Sequence, residues 1–347
     1  MPRSRRPTAC PPQGAMPRSA PRFWQAGSTS PLPTLLRPLA AFYGLGNRLN
    51  QRITAAQEIG APVISIGNLV AGGAGKTPTA IAIAHRLTTL GRHPQIVSRG
   101  YGGKLTGPVQ VDLNRHTAAD VGDEALLLAA AAPTWIGGNR PAAARAAVAA
   151  GADCIIADDA HQTYALARRL SLLVIDGGYG FGNGLQLPAG PLRESIEDGM
   201  SRCDALVVIG PRSVPLPDFG RHPVFAATLE PNPADAVRLR GRSVLAFAGI
   251  GRPEKFFTSL QQLGATVVQT ATFPDHAPYS PDTVMRLVET AHKLNAIPVT
   301  TAKDQVRLPA KARPMVDVLR VALNFAEPQR VDDYLRSRLN DRATAGA

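Results

Sequence analysis

The sequence predicts an α/β protein of two domains, a three-layer α/β/α domain followed by a second, smaller α/β domain. From residue 62 onward, short runs rich in Val and Ile alternate with segments whose apolar residues recur at helical spacing. A group of prolines between residues 211 and 236 separates two such regions and predicts a linker or a domain edge. With 347 residues, 44% of them hydrophobic, the chain can build a core in each region.

The elements of each region can be assigned in order. In the first region the predicted strands are 62 to 67, 95 to 99, 153 to 158, 171 to 176 and 205 to 209. In the second, strands are predicted at 243 to 249, 265 to 271 and 296 to 301, and helices near 253 to 263 and 281 to 294. A helix after the first strand should end at Gly91, because glycine favours the position that follows a helix.

The composition limits the classes of partner. A formal charge of +12 indicates an anionic partner, whether nucleic acid, a phosphorylated substrate or an acidic membrane surface. Only 5% of the residues are aromatic, and none interleave with arginines as in single-strand binders, so no nucleic-acid partner is expected. The three cysteines lack metal-ligand spacing, which predicts reduced thiols and a cytosolic environment.

The N-terminal region divides into two parts. Residues 1 to 22 are rich in Pro, Arg, Ser and Ala, which predicts a disordered tail. Residues 31 to 46 are apolar and flanked by arginines, but they are too few to cross a bilayer. Two interpretations stay open from composition: an amphipathic helix lying at a membrane interface, or a helix packed on the protein's own core.

A glycine-rich loop follows the first predicted strand. Its glycines are Gly72, Gly73 and Gly75. Such a loop can turn successive backbone N–H groups around a polyphosphate, with Lys76 contacting the β- and γ-phosphates and Thr77 ligating Mg²⁺. Val70 stands where the G-x-x-x-x-G-K-[ST] pattern requires glycine. The alternative is an ordinary turn that leaves Lys76 as a solvated charge.

Several carboxylates could act with this loop. Asp158 and Asp159 end a predicted strand, where they could hold Mg²⁺ or serve as a helix cap or turn. Asp123 precedes an apolar helix, as either an N-cap or a general base. His276 lies in a proline-braced loop of the second region, where it could be catalytic or merely exposed.

Two further loops offer polar groups. The segment Ser98-Arg99-Gly100-Tyr101 follows a strand and could bind sugar or phosphate. The loop from Leu187 to Glu194 is braced by prolines and carries Arg193, although it could also be a solvated turn. Thr300-Thr301-Ala302-Lys303-Asp304 does not have the N/T-K-x-D spacing that recognises guanine, so nothing favours GTP over ATP.

Taken together, these motifs resemble the tetraacyldisaccharide 4′-kinase family over residues 23 to 325. The matching segments are Phe23-Trp24, Leu36-Arg37-Pro38-Leu39 with Tyr43, Ile66-Gly67-Asn68, Gly72-Gly73-Ala74-Gly75-Lys76-Thr77-Pro78, Ser98-Arg99-Gly100-Tyr101-Gly102, Gly122-Asp123-Glu124, Asp158-Asp159, Leu187-Pro188-Ala189-Gly190-Pro191-Leu192-Arg193-Glu194, Gly249-Ile250-Gly251 and Phe273-Pro274-Asp275-His276. The family's own glycine loop lacks the first glycine, so Val70 agrees with the resemblance. The chain departs from the family at Ala160-His161-Gln162-Thr163 and at Ala302.

The resemblance implies an activity and a location. It implies transfer of the γ-phosphoryl group of ATP, with Mg²⁺, to the 4′-hydroxyl of a tetraacylated glucosamine disaccharide 1-phosphate, giving lipid IVA. It also implies a peripheral position on the cytoplasmic face of the bacterial inner membrane, whose anionic surface attracts the basic chain. The implied organisation is a membrane-interface helix at 23 to 52, a P-loop kinase domain at 53 to 235 and a cleft-closing domain at 236 to 347, with no obligate protein partner.

The resemblance also assigns site residues. The catalytic residues would be Asp123, His276 and Asp158, the metal ligands Thr77, Asp159 and Glu194, the phosphate-binding residues Val70, Ala71, Gly72, Gly73, Ala74, Gly75, Lys76 and Thr77, and the substrate-binding residues Asn68, Arg99, Gly100, Tyr101 and Arg193. Because Asp123 and His276 belong to different domains, the domains are expected to close on substrate. The rival hypotheses are a non-enzymatic nucleotide switch and a kinase for a soluble small molecule.

Overall fold

The structure is a computed structural model that describes residues 21–340, and it confirms the α/β class. The strands in this part of the chain are β1 (Val63–Gly67), β2 (Pro94–Ser98), β3 (Val109–Gln110), β4 (Thr134–Ile136), β5 (Cys154–Asp158), β6 (Leu170–Asp176), β7 (Ala205–Ile209), β8 (Val224–Pro231), β9 (Ser243–Ala248), β10 (Thr266–Thr272), β11 (Ile297–Thr301), β12 (Asp317–Leu319) and β13 (Val321–Phe325). The α-helices are α1 (Leu32–Ile53), α2 (Lys76–Thr89), α3 (Ala118–Val121), α4 (Asp123–Ala129), α5 (Arg140–Ala149), α6 (Ile196–Met200), α7 (Pro233–Leu239), α8 (Pro253–Gln262), α9 (Pro281–Lys293), α10 (Ala302–Gln305) and α11 (Pro328–Asn340), with short 3₁₀ turns at Arg22–Trp24 and Ala310–Met315. The predicted tail, residues 1 to 22, falls almost wholly outside the described residues.

The larger domain is a three-layer sandwich around a nine-stranded sheet. Its strand order is β13-β8-β7-β6-β1-β5-β2-β4-β3, and the seven inner strands are parallel. Side chains of β1 alternate between two cores: Ile64 and Ile66 pack with α2 and α11, and Val63 packs with the alanine face of α5. Because both faces are covered, the central strands are continuous apolar runs, which is why the sequence predicts them within one or two residues.

The smaller domain has its own sheet and its own cores. Four parallel strands run in the order β10-β9-β11-β12, with α7 and α8 on one face and α9 on the other. Ser280 and Asn232 cap α9 and α7 with their side chains, and each of these helices begins with proline.

The predicted domain boundary is wrong at the C-terminal end. Strand β13 pairs antiparallel with β8, and α11 packs on the larger domain, so residues 321–340 do not belong to the predicted 236 to 347 domain. Leu323 and Phe325 alternate with exposed neighbours and pack into the core with α2 and α11, while the strand backbone pairs with β8 at the end of the sheet. The proline-rich segment is also not wholly a linker, because β8 lies within it.

Two of the three cysteines lie in the described part of the chain. Cys154 and Cys203 are buried free thiols, and burial raises the pKa of each to about 12. Both are therefore unreactive packing residues, as the spacing predicts for reduced cysteines.

Candidate active site

Four neighbouring strands end at one edge of the larger sheet, and each delivers a candidate group. The order β1-β5-β2-β4 places the glycine loop, the Asp158–Asp159 pair, the Arg99 loop and the start of α5 side by side. In open α/β sheets, ligands bind at the carboxyl ends of such strands. The sheet topology thus collects residues that are far apart in the sequence.

The glycine loop joins β1 to α2 in the conformation expected of a phosphate cradle. Gly75 immediately precedes the helix with φ 90°, and a Cβ there would overlap the Ile209 side chain. Gly72 has φ 120° and open space around it. The left-handed backbone at both positions explains why glycine is required in the loop.

Val70 and Ala71 anchor the cradle from below. Val70 is buried and forms an isolated antiparallel bridge with Leu192, and the Ala71 N–H donates to the Pro191 carbonyl at 2.7 Å. These two residues, predicted to contact phosphate, thus already use their backbone groups to tie the cradle to the proline-braced loop. The Val70 side chain packs in the apolar cluster with Leu69 and Leu192, where a glycine would leave a gap.

Lys76 lies across the mouth of the cradle. Its Nζ is 3.2 Å from Asn68 Oδ1, 3.5 Å from the Gly72 carbonyl and 3.6 Å from Asp159 Oδ1. The Asn68 amide in turn donates to the Val70 carbonyl at 2.9 Å. Asn68, predicted as a substrate contact, is in this structure a brace for the lysine and the loop.

The two carboxylates at the end of β5 are in contrasting states. Asp158 is buried, and its Oδ1 atom has no hydrogen-bond partner. Burial, followed by the charges of Glu124 and Asp159, raises the pKa of Asp158 to about 7. Burial opposes ionisation of Asp159 too, but Lys76 and the arginines outweigh it and lower its pKa. Arg193 Nη1 donates to both Asp159 oxygens, at 2.9 and 3.2 Å.

Glu194 is enclosed by other polar groups. It is buried, pairs with Arg202 and accepts a hydrogen bond of 2.8 Å from Gln162 Nε2. The same Gln162 amide donates to the Asn68 carbonyl at 3.0 Å. The Ala160–Thr163 turn, where the chain departs from the family, therefore links Glu194 to the cradle.

His161 stabilises that turn. It is fully buried, its Nε2 donates to the Gly199 carbonyl at 3.0 Å, and its Nδ1 accepts from Ser171 at 3.3 Å. Burial lowers the pKa of His161 to about 3, so the ring is neutral. A Cβ on Gly67 would overlap the backbone and Cβ of His161, so this glycine allows the Ala160–Thr163 turn to lie against β1.

The predicted metal ligands do not form a closed cage. Among residues 21–340 there is no group of three His, Cys, Asp or Glu side chains able to hold a metal ion. The donors nonetheless suit Mg²⁺, which prefers oxygen and often binds through one or two carboxylates together with substrate phosphates. The unpartnered Asp158 Oδ1 is the observation that fits a cation at this sheet edge.

Asp123 and His276 meet across the two domains. Asp123 is buried and is the first residue of α4, whose N-cap is Gly122, so the N-cap interpretation is wrong. His276 Nδ1 is 2.9 Å from Asp123 Oδ2 and 3.2 Å from its Oδ1. Burial opposes ionisation of Asp123, but the bond to His276 and the nearby Lys303 and Arg307 charges lower its pKa.

The Arg99 loop borders this pair. Tyr101 is 69% exposed, and its ring meets the His276 ring edge-on at 5.7 Å. Gly100 is buried with φ 72°, and a Cβ there would lie tightly, at 3.1–3.3 Å, against Ile136 and the Val121 carbonyl. Arg99 is exposed. The loop therefore places an aromatic surface beside His276 and carries an exposed guanidinium.

Three cations at the site escaped the sequence reasoning. Arg140 at the start of α5 bonds Thr163 and the Asp158 carbonyl, and its Nε atom is buried without a partner. Lys303 and Arg307 come from α10 and the turn after it, with Arg307 Nε 3.7 Å from Asp123 Oδ2. Arg140 carries no local signal beyond a helix start, whereas Lys303 lies in a segment considered for guanine recognition and for its departure from the family at Ala302.

The fold and the site have the features of a P-loop phosphotransferase: a glycine-rich loop before a helix, carboxylates at a strand end, and a separate buried carboxylate, Asp123, nearby. The family model described as "Tetraacyldisaccharide-1-P 4'-kinase" (LpxK) matches residues 32–340. The chain belongs to the tetraacyldisaccharide 4′-kinase family.

Individual relatives agree with this assignment. The tetraacyldisaccharide 4′-kinase of Rhodospirillum centenum is 48% identical over 332 residues, covering 94% of this chain and 98% of the relative. That of Paramagnetospirillum magneticum is 49% identical over 312 residues, covering 89% and 95%. The crystal structure of LpxK from Aquifex aeolicus in complex with ATP is similar with a TM-score of 0.72 and 25% identity, covering 89% of this chain and 99% of that one.

Proposed function

We propose that this chain transfers the γ-phosphoryl group of ATP to the 4′-hydroxyl of tetraacyldisaccharide 1-phosphate, with Asp123 as the proton acceptor. Family membership and the likeness to an ATP-bound structure support the reaction. The observation that carries the residue roles is the 2.9 Å contact between Asp123 and His276. A nucleotide switch that acts without an acceptor has no need of a buried carboxylate oriented by a second domain.

The chain's own groups divide the work. The Gly72–Gly75 backbone and Lys76 hold the phosphates, and Arg193 and Arg140 add positive charge beside them. As a P–O bond forms at the 4′-oxygen, the bond from the γ-phosphorus to the bridging oxygen of ADP breaks. The hydroxyl proton passes to Asp123, which His276 keeps in place.

Thr77, Asp159 and Glu194 remain the proposed Mg²⁺ ligands, with Asp158 beside them. When bound, Mg²⁺ would neutralise charge on the β- and γ-phosphates. In this structure Arg193 pairs with Asp159, and Arg202 pairs with Glu194. On binding Mg²⁺, each carboxylate would exchange its arginine partner for the cation. Asp158 would lose its proton as a cation approached, because a positive charge favours the carboxylate.

We further propose that α1 holds the protein on the anionic cytoplasmic face of the inner membrane. Its outer face carries exposed apolar side chains, which are Leu32, Leu35, Leu39, Phe42, Tyr43, Leu45, Leu49 and Ile53. Arg37, Arg48 and Arg52 are exposed on the same helix and would favour anionic headgroups. No helix in the described part of the chain is long and apolar enough to cross a membrane.

The reaction is tested with γ-labelled ATP, Mg²⁺ and detergent-dispersed tetraacyldisaccharide 1-phosphate. The expected result is labelled lipid, lost with Lys76→Ala and lowered about 10²- to 10⁴-fold in kcat with Asp123→Asn, since that is the usual contribution of general-base catalysis. Hydrolysis of ATP without labelled lipid would favour the nucleotide switch. Near wild-type turnover by Asp123→Asn would remove Asp123 from the base role.

A further inference from the structure

We propose that Lys303 is a positioning residue that holds His276 as the neutral tautomer with its proton on Nδ1. The inference rests on the proposed function, because it concerns the histidine that orients the proton acceptor. Lys303 comes from α10 of the smaller domain, and its side chain is partly buried. It lies on the opposite side of the imidazole from Asp123.

The hydrogen-bonding chemistry fixes the tautomer. Lys303 Nζ is 3.2 Å from His276 Nε2, and a lysine ammonium can only donate, so Nε2 must accept through its lone pair. The ionised Asp123 can only accept, so Nδ1 must carry the proton that it donates. With one nitrogen accepting and the other donating, the imidazole is neutral.

The position of Lys303 is itself fixed by two carboxylates. Its Nζ is 3.2 Å from Asp275 Oδ1 and 3.7 Å from Glu124 Oε1. Glu124 belongs to the larger domain and Asp275 to the loop of His276. The ammonium therefore spans the domains at the same place as the Asp123–His276 contact.

The surrounding charges make this restraint necessary. Titratable and charged groups surround the His276 ring, from every element packed against it. They are Asp123 and Glu124 of α4, Tyr101 of the loop after β2, Asp275 of the histidine's own loop, Lys303 of α10 and Arg307 after it. The bond to Asp123 is the main reason that the pKa of His276 lies above its ordinary value, while burial and the Lys303 charge oppose the rise. Without Lys303, the carboxylates would favour the imidazolium.

Protonation of His276 would weaken the proton acceptor. An imidazolium beside Asp123 would stabilise the carboxylate as an ion pair and lower its affinity for the hydroxyl proton. A neutral N–H donor orients the carboxylate at a smaller cost in basicity. Lys303 thus extends the pH range in which Asp123 and His276 can act to lower pH, toward neutral and mildly acid conditions.

The direct test is nitrogen NMR of the histidine side chains in the full-length protein. Spectra of wild type, Lys303→Met and Lys303→Gln are recorded across pH, and His276→Gln identifies the resonance. We expect His276 in wild type to show protonated Nδ1 and bare Nε2, and its titration midpoint to move to higher pH in both neutral variants. Lys303→Arg should keep the midpoint near wild type, and Lys293→Met, at an exposed position of α9, is the matched control.

A kinetic measurement complements the spectra. In the neutral variants the ratio of kcat at pH 8.5 to kcat at pH 6.5 should rise about three- to tenfold, because a charge this close changes an ionisation by that order. KM for ATP should stay unchanged. A protonated Nε2 in wild type, or a midpoint in both variants that moves no more than in Lys293→Met, would overturn the proposal. The NMR result does not depend on lipid phosphorylation, so failure of the proposed function would be recognised separately.

Discussion

Asp159 and His276 both adopt left-handed backbone conformations, with φ of 46° and 60°. Such conformations cost a non-glycine residue roughly 1–2 kcal/mol. Arg193 and Lys76 hold the Asp159 side chain, and the Asp275 carboxylate accepts from the His276 N–H at 3.0 Å. The strain occurs at two candidate site residues, which is where folded proteins tend to retain it.

Asp158 should be destabilising when no cation is bound. Its pKa is 3.8 when unfolded and about 7 when folded, so the unfolded state loses its proton first as pH rises. The contribution of Asp158 to stability therefore falls between about pH 4 and pH 7 and is level above that. In EDTA, Asp158→Asn should gain about 2–4 kcal/mol at pH 8, at roughly 1.4 kcal/mol per pKa unit, and less at pH 5. Thermal unfolding at the two pH values measures this, and an equal gain at both would contradict it.

Gly75→Ala should disable the cradle without unfolding the domain. The added Cβ meets Ile209, and the left-handed backbone costs a further 1–2 kcal/mol or so. We expect a lower melting temperature and loss of ATP binding by calorimetry. Gly46→Ala in α1, where the Cβ meets nothing, should keep ATP binding and slightly raise the melting temperature. Tight ATP binding by Gly75→Ala would argue against the cradle.

At the scale of elements, α1 has two different faces. On its inner face Ala40 and Gly44 are buried, and Asn47 donates to the Arg193 carbonyl at 2.5 Å. Gln51 accepts from Arg202, the partner of Glu194. The inner face therefore packs on the site loop, as the core-packing interpretation predicts, and the outer face is apolar and exposed, so the membrane interpretation stays a proposal for that face.

The outer face of α1 should be needed for membrane binding but not for ATP binding. Leu35, Leu39 and Phe42 are 75%, 56% and 73% exposed, so the triple change to serine removes apolar surface without opening a core. We expect loss of co-sedimentation with vesicles containing anionic lipid, while ATP binding is unchanged. The matched control replaces exposed Leu229, Val237 and Val268 of other elements with serine. Vesicle binding that survives the α1 change would refute a membrane role for this face.

At the scale of the whole molecule, ion pairs join the domains at two places. Beside the Asp123 contact, Arg252 and Lys255 at the start of α8 reach Asp176 at the end of β6, at 2.8 and 2.9 Å. Arg252 also lies over the Tyr179 ring, 4.8 Å from its centre. The smaller domain therefore contacts the larger one at two points, at Asp176 and at Asp123.

Asp176→Asn should loosen the domain arrangement more than the fold. Both cationic partners are partly exposed, and exposed ion pairs contribute at most about 1 kcal/mol each. We expect a larger radius of gyration by small-angle X-ray scattering, with a small change in melting temperature. Asp333→Asn removes an exposed pair within α11 and should leave the radius unchanged. An unchanged radius for Asp176→Asn would show that this pair does not set the domain arrangement.

Much of the site was predictable because its signals are local. The glycine loop, Asp158, Asp159 and Asp123 each lie next to an apolar strand or helix whose pattern is visible in the sequence. Strand β13 was assigned to the wrong domain. Its five residues alternate between apolar and exposed positions, which indicates a strand but does not indicate the sheet with which the strand pairs. Arg140 was missed for a similar reason, since only the order β2-β4 brings the start of α5 to the site.

The sequence by itself determined the α/β class, the glycine-rich loop before a helix, and the family, since each depends on residue spacing within short segments. Tertiary structure decided which charges face each other. Three pairs of charged or polar side chains depend on the order of the strands and on the packing of the smaller domain against the larger one. They are Asp159 with Arg193, Glu194 with Arg202, and Lys303 with His276. Because the energy of a charge depends on burial and on partners distant in sequence, these states follow from the folded arrangement and not from local pattern.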